Sequence, residues 1–268
     1  QDGIKAPLGM SGIKLEVNVH IVTSAITSLQ NLRTCVERAE VEIEQIVLNQ
    51  IATAASILTH DEKELGVGLI DIGAGTTEVA IFERGSLWYT SIIPIGGDNF
   101  TNDIAVGLRT PIPEAEKIKK KFGCVSVPTV DEQETIEVPS VGKARKPRVL
   151  SRQILSDIIQ PRAEEIFRLV DGDIKRMGYE KSLNSGIVLT GGTALLEGLE
   201  EVAEEIFDLP VRRGDPTGVS GLIDRVSTPD YATAVGLILH GFGQWQEHGM
   251  AQDKKKGLWA KMRDWLKE

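Results

Sequence analysis

The chain has 268 residues, 41% of them apolar, enough to bury a substantial core and to divide into about two domains. No apolar run reaches the ~18 residues of a membrane span, and a net charge of −9 argues against a general nucleic-acid binder. Cys35 and Cys124 lie far apart without CxxC spacing, which points to free thiols in a reducing compartment rather than a bridge or zinc site. The pattern opens at Gln1 with no Met and no charged-then-apolar leader, as expected of a fragment or processed product.

In chain order, "KLEVNVHIVTS" (14–24) alternates Leu15, Val17, Val19 and Ile21 and predicts a half-buried strand. Residues 25–39 carry apolar positions 29, 32, 36 and 39, a helical stripe opened by a Ser/Thr cap. "VEIEQIVL" reads as another strand, and "NQIATAASIL" (49–58) as a short helix whose alanines suit close approach by a neighbour. "GVGLIDIG", "EVAIFE" and "SLWYTSIIPIG" then form a three-stranded meander with turns at 73–77 and 84–85. A helix opens at Gly96-Gly97, and the proline-rich 111–150 reads as a small inserted subdomain holding the helix "EAEKIKKKFG". A long helix over about 151–177 should kink or lose a turn at Pro161. Residues 185–207 read as strand, glycine turn and helix; 228–241 as a helix; 246–256 as a polar linker.

Two bends carry chemistry. In "DIGAGTT", Gly73 and Gly75 permit positive φ and close backbone approach, Thr76 and Thr77 add hydroxyls, and Asp71 can hold the waters of a Mg²⁺ ion. The plain alternative is a hairpin turn. In "LTGGTALLEG", a buried strand runs into Gly191-Gly192 and a helix with Thr193 near its cap, a geometry that favours anions and flat ligands. An ordinary strand-to-helix turn is the alternative there. Neither a Walker loop nor a GxGxxG fingerprint occurs.

The two bends, the Gly96-Gly97 turn between them and "ATAVGL" afterwards together resemble the second half of the actin/Hsp70/sugar-kinase ATPase fold. The blocks "PLGMSGIKLEVNVHIVT", "LGVGLIDIGAGTTEVAIF", "EVPSVGKARKPRVLSRQILSDIIQPRAEEI" and "GIVLTGGTALLEGL", in that order, resemble the FtsA family of actin-like bacterial division proteins over nearly the whole chain. The fold implied is α/β and actin-like (ribonuclease H-like): a mixed sheet flanked by helices, with a small insertion and a C-terminal amphipathic helix.

The resemblance implies a division of the chain. Residues 1–52 would end the first half, mostly the FtsA-specific subdomain 1C. Residues 53–109 and 186–245 would form subdomain 2A with its connecting helix, and 110–185 subdomain 2B. It also implies ATP and Mg²⁺ held by Asp71, Gly73, Gly75, Thr76, Thr77, Gly191, Gly192 and Thr193. Glu116 and Lys119 would contact the ribose, against the alternative of a solvated helix face. Gln50 would position attacking water, against a capping or solvated glutamine. Nothing in residues 1–65 resembles the superfamily's first phosphate loop, so a half-built cleft with weak or no ATPase activity is expected.

On the long helix Arg162, Glu165 and Arg168 fall broadly on one exposed face. The resemblance makes that face the grip for the acidic C-terminal tail of FtsZ. Residues 254–268 carry six Lys/Arg against two acids, a net +4 beside about −13 for the rest. Within them Leu258, Trp259, Met262, Trp265 and Leu266 form one apolar face, short enough to lie in a bilayer interface rather than cross it. Packing on the body or on a partner protein is the alternative. The resemblance implies an adaptor that self-associates into filaments, meets downstream divisome proteins and tethers FtsZ to the cytoplasmic face of the inner membrane at the septum. An MreB- or PilM-like scaffold, or a sugar kinase or chaperone ATPase, is the rival reading.

Overall fold

The computed structural model describes residue 4 and residues 9–17, 19–125, 133–141, 146–221 and 223–244. The linker at 246–256 and the apolar face at 258–266 lie outside them. The helices that matter here are α1 (Ile26–Arg38), α2 (Asn49–Ile57), α3 (His60–Leu65), α4 (Gly97–Gly107), α5 (Ile112–Phe122), α6 (Arg152–Met177) and α7 (Leu199–Phe207). A short α8 (Ile223–Val226) precedes α9, helical over 232–244.

The central sheet holds β1 (Val67–Ile72), β2 (Thr77–Glu83), β3 (Ser86–Ile93), β6 (Ile187–Thr190) and β7 (Val211–Arg213) in the order β3-β2-β1-β6-β7. The meander is antiparallel, while β1–β6 and β6–β7 are parallel. A separate hairpin pairs β4 (Thr135–Val138) with β5 (Arg148–Ser151).

Strand alternation divides the core in two. Ile70, Ile72, Val79, Ile81, Ile187 and Leu189 face α4, α5, α6 and α7 in the larger cluster. Val67, Leu69, Ala80, Phe82 and Val188 face α2 and Ala232 in the smaller one. Both faces are covered, so β1 reads as a nearly continuous apolar run, as a doubly flanked strand must. Burying one such leucine or isoleucine contributes roughly 1.5–3 kcal/mol.

On the second face α2 and α9 touch backbone to backbone. A Cβ built on Gly236 would lie 1.8 Å from the carbonyl oxygen of Ala52. Across the same seam Thr53 and Thr233 share a hydroxyl hydrogen bond of 2.8 Å, and Ser56 donates to the Ala232 carbonyl at 2.7 Å. The small residues of 49–58 meet their expected close neighbour here.

Several expectations are corrected. Residues 14–17, 19–24 and 41–48 form no strand, because no described segment offers them a ladder, and Leu15, Val17, Val19 and Ile21 are exposed. Helix α1 forms but buries nothing, and its N-cap is Ala25 without a side-chain cap. Helix α6 is one continuous helix across Pro161, so no turn is lost there, and it buries Leu155, Ile159, Ile166, Val170 and Ile174. The expectation of no bridge is not among these corrections: neither cysteine forms a disulfide, and Cys35 is exposed while Cys124 is buried.

Candidate functional site

Strands β1 and β6 run parallel, with Asp71 opposite Thr190, and their carboxyl ends open together at one edge. That is where open α/β sheets place ligands. Three turns meet there: 73–76 after β1, 96–98 before α4, and 191–193 after β6. The Gly73 carbonyl accepts from Gly97 N at 2.9 Å and from Thr193 Oγ1 at 3.3 Å, so one oxygen ties all three.

This lacing orients the first turn. The carbonyls of Gly73 and Ala74 point at the N-terminus of α4, accepting from Gly97 N and Asp98 N at 2.9 and 2.7 Å. They satisfy two of the orphan amides that begin any helix. In a trans peptide the N–H lies opposite the preceding carbonyl. The amides of Ala74 and Gly75 therefore point away from α4, and both residues are exposed. Successive backbone amides that face open space can receive an anion.

Neither Gly73 nor Gly75 has positive φ, contrary to expectation; the strained glycine is Gly191, at φ +86°. A Cβ on Gly191 would stand 2.4 Å from Asp71 Oδ1 and 2.5 Å from the Ile72 carbonyl. Only glycine lets the second bend lie against the end of β1. Thr77 is fully buried and its hydroxyl donates to the Ile95 carbonyl at 2.8 Å, so it offers no free donor to a ligand. Thr76 remains half-buried at the mouth of the turn. The second bend is corrected as well: Gly192–Leu195 is a single 3-10 turn, and α7 begins only at Leu199. Thr193 spends its hydroxyl on Gly73 instead of capping a helix, so no helix dipole acts at Gly192.

Between the turns and α5 lies a cavity of about 470 Å³, lined by Gly73, Gly97, Glu116, Lys119, Gly192 and Thr193 among others. Lys119 is not a solvated lysine: it is 8% exposed, and its Nζ donates to the Gly97 carbonyl at 2.9 Å and to Thr101 Oγ1 at 2.8 Å. It also pairs with Glu116 at 2.6 Å. Burial alone would raise the Glu116 carboxyl, but bonds from Lys119 and Thr101 outweigh it and hold the group below its usual range.

Asp71 and Gln50 are not among that cavity's lining residues. Asp71 sits on the α2 side of the sheet, its Oδ2 accepting from Thr233 Oγ1 at 3.4 Å. Burial, then the Glu78 carboxylate on the adjacent strand, push its pKa to about 6 against the hydroxyls of Thr233 and Thr53. Gln50, one helical turn before Thr53, is 2% exposed, and its Oε1 has no hydrogen-bond partner among the described residues. It is neither a solvated nor a fully satisfied glutamine. A buried acceptor left open in this way suits a water or a ligand donor. Among the described residues no group of three or more His, Cys, Asp or Glu is placed to hold a metal by protein ligands alone. A Mg²⁺ ion held through water at one carboxylate needs no such group.

On α6, Arg162 is half-buried rather than on an exposed face: its Nε and Nη2 donate to Asp103 of α4 at 2.7 and 3.1 Å, and its Nη1 to Glu165. Arg168 is exposed and pairs with Glu164 instead. The sequence reading missed Asp98, Thr101, Asp103 and Asp230. The glycine pair ahead of "DNFTND" is the signal that marks the first three. Nothing in sequence points Asp230 at the cavity, which it reaches through the fold.

A mixed sheet flanked by helices, with two glycine bends at the ends of parallel strands, defines an actin-like α/β protein. The structure is similar to that of MreB5 of Spiroplasma citri bound to ADP, with a TM-score of 0.62 and 21% identity over 81% of this chain and 65% of that one. The family profile described as "Cell division protein FtsA" matches residues 68–236, and that of the "SHS2 domain inserted in FTSA" matches residues 1–23. The cell division protein FtsA of Pseudomonas aeruginosa is 52% identical over 251 residues, 94% of this chain and 60% of that protein. That of Neisseria meningitidis is 44% identical over 274 residues, 99% of this chain and 66% of that protein. The chain belongs to the FtsA family of cell division proteins, and it spans a little under two thirds of the length of these relatives.

Proposed function

We propose that this chain carries one wall of an ATP cleft in an actin-like division adaptor. The observation that supports it most is the lacing of the three turns through the Gly73 carbonyl, which turns the Ala74 and Gly75 amides outward beside the cavity. In this reading those amides and Thr76 hold phosphate oxygens, and Gly191, Gly192 and Thr193 bed the adenosine. Glu116 and Lys119 present a fixed pair to the ribose. Asp71 holds Mg²⁺ through water, and the open Gln50 acceptor orients a water molecule. Mg²⁺ would supply charge neutralisation of the phosphates; the residues supply binding and orientation. Thr77 and Gly73 act as framework. Nucleotide serves as a conformational and polymerisation switch more than as fuel for substrate chemistry, with weak hydrolysis or none.

The same proposal assigns residues 53–109 and 186–245 to the nucleotide subdomain and 110–185 to the insertion. Helix α6 receives the acidic tail of FtsZ at Arg162, with Glu165 and Arg168 beside it. Leu258, Trp259, Met262, Trp265 and Leu266 lie in the membrane interface, where tryptophans favour headgroup depth and nearby lysines anionic lipid. Like subunits join into filaments that meet downstream divisome proteins at the inner face of the septal membrane. Nucleic acid is not a partner. Among the described residues no helix is long and apolar enough to cross a membrane.

Titration of the chain with a fluorescent ATP analogue in Mg²⁺ tests the cleft. Saturable binding that excess ATP reverses supports it; no saturable binding overturns it.

A further inference from the structure

Arg162 is held by two carboxylates from within the chain. Asp103 takes the Nε/Nη2 edge of the guanidinium in a two-point contact, and Glu165 takes Nη1. Two-point pairing along one edge is the strongest way a carboxylate binds arginine. It is also the way an acidic peptide would bind it. The cluster of Asp103, Arg162 and Glu165 has a net charge of −1, where a bare arginine would offer +1. Arg162 thus stands as a neutralised anchor, with Asp103 in the seat a partner's carboxylate would use.

Both partners of the pair remain reachable from solvent, with side chains 24% and 32% exposed. The contact is therefore exchangeable rather than locked in the core. The two ends of the pair also come from different elements: Asp103 from α4, whose first turn lines the cavity, and Arg162 from the first half of α6.

We propose that Asp103 is an internal competitor for the Arg162 anchor, and that an acidic peptide partner binds by replacing the Asp103 carboxylate with its own. The proposal rests on the reading that α6 grips an acidic tail. It adds that α4 sets the affinity of that grip. An uncharged residue at 103 frees the Nε/Nη2 edge and changes the cluster's charge from −1 to 0. For a partly exposed pair worth about 1 kcal/mol, the gain is roughly three- to tenfold in affinity.

The test is binding of a labelled FtsZ tail peptide to the full chain by fluorescence anisotropy, for wild type, Asp103→Asn, Asp103→Ser and Arg162→Ala, with thermal melts of each. Tighter binding by both uncharged variants at position 103, with loss of binding in Arg162→Ala, is the expected result. Two substitutions at 103 keep the test decisive if one of them folds poorly. If Arg162→Ala loses binding while both position-103 variants bind like wild type, the competitor role is wrong and the α6 grip stands. If Arg162→Ala binds like wild type, the grip itself is wrong and the competitor role falls with it.

Discussion

Gly236→Ala tests how closely α2 and α9 pack. In an ordinary helix the change stabilises by up to about 1 kcal/mol, because alanine loses less backbone entropy on folding. Here the new methyl would sit 1.8 Å from the Ala52 carbonyl oxygen and 2.4 Å from its carbon, and backbone cannot swing aside. Restoring an ordinary contact of about 3.4 Å requires the helices to part by about 1.6 Å. That separation carries both seam hydrogen bonds, Thr53–Thr233 at 2.8 Å and Ser56 to Ala232 at 2.7 Å, beyond bonding range. Two lost hydrogen bonds at about 1 kcal/mol each, plus about 1–3 kcal/mol of overpacking strain, give a loss of roughly 3–5 kcal/mol. That is a large share of the ~5–15 kcal/mol that holds a domain together. Urea denaturation monitored by circular dichroism measures it. A loss under about 1 kcal/mol, or any gain, would refute the backbone-contact argument.

Three more outcomes follow from the site. Asp71 titrates near pH 6 when folded and near its ordinary 3.8 when unfolded, so the folded state holds the proton more tightly. Its contribution is full below about pH 4 and is lost as pH rises through 6, by about 3 kcal/mol in Mg²⁺-free buffer. Asp71→Asn should flatten that slope in a denaturation series. Lys119→Met should cost about 2–3 kcal/mol, because the Gly97 carbonyl and Thr101 Oγ1 lose a buried donor and Glu116 loses its nearer cation, whereas exposed Lys120→Met should cost under about 0.5 kcal/mol. Comparative melts separate the two. In liposome co-sedimentation, Trp259→Glu with Trp265→Glu should remove the protein from anionic vesicles; equal binding by wild type and variant would sink the membrane reading.

Much of the sheet was legible because its signals are local. β1, β2 and β6 are apolar strands bounded by glycine turns, and the alternation of Leu69 with Ile70 and of Ala80 with Ile81 divides between the two core faces. Alternation was misleading at 14–24, where Leu15 to Ile21 have the strand period but no described neighbour supplies a ladder. Period reports which face seeks burial, not whether anything covers it. The glycine bends were visible, yet their roles were exchanged. Gly191 carries the strain, because it must clear Asp71 and the end of β1, a long-range constraint invisible in "LTGG". Lys119 was expected either at the ribose or on a solvated helix face; its burial depends on Gly97 and Thr101, which only the fold brings beneath it. Arg162 read as a free charge for the same reason, since Asp103 lies on another helix.

Photoaffinity labelling with an azido-ATP, followed by peptide mapping, tests the cleft most directly. The account predicts adducts within residues 116–123 or 191–196 that excess ATP suppresses. Adducts elsewhere, or labelling that ATP does not suppress, would contradict it.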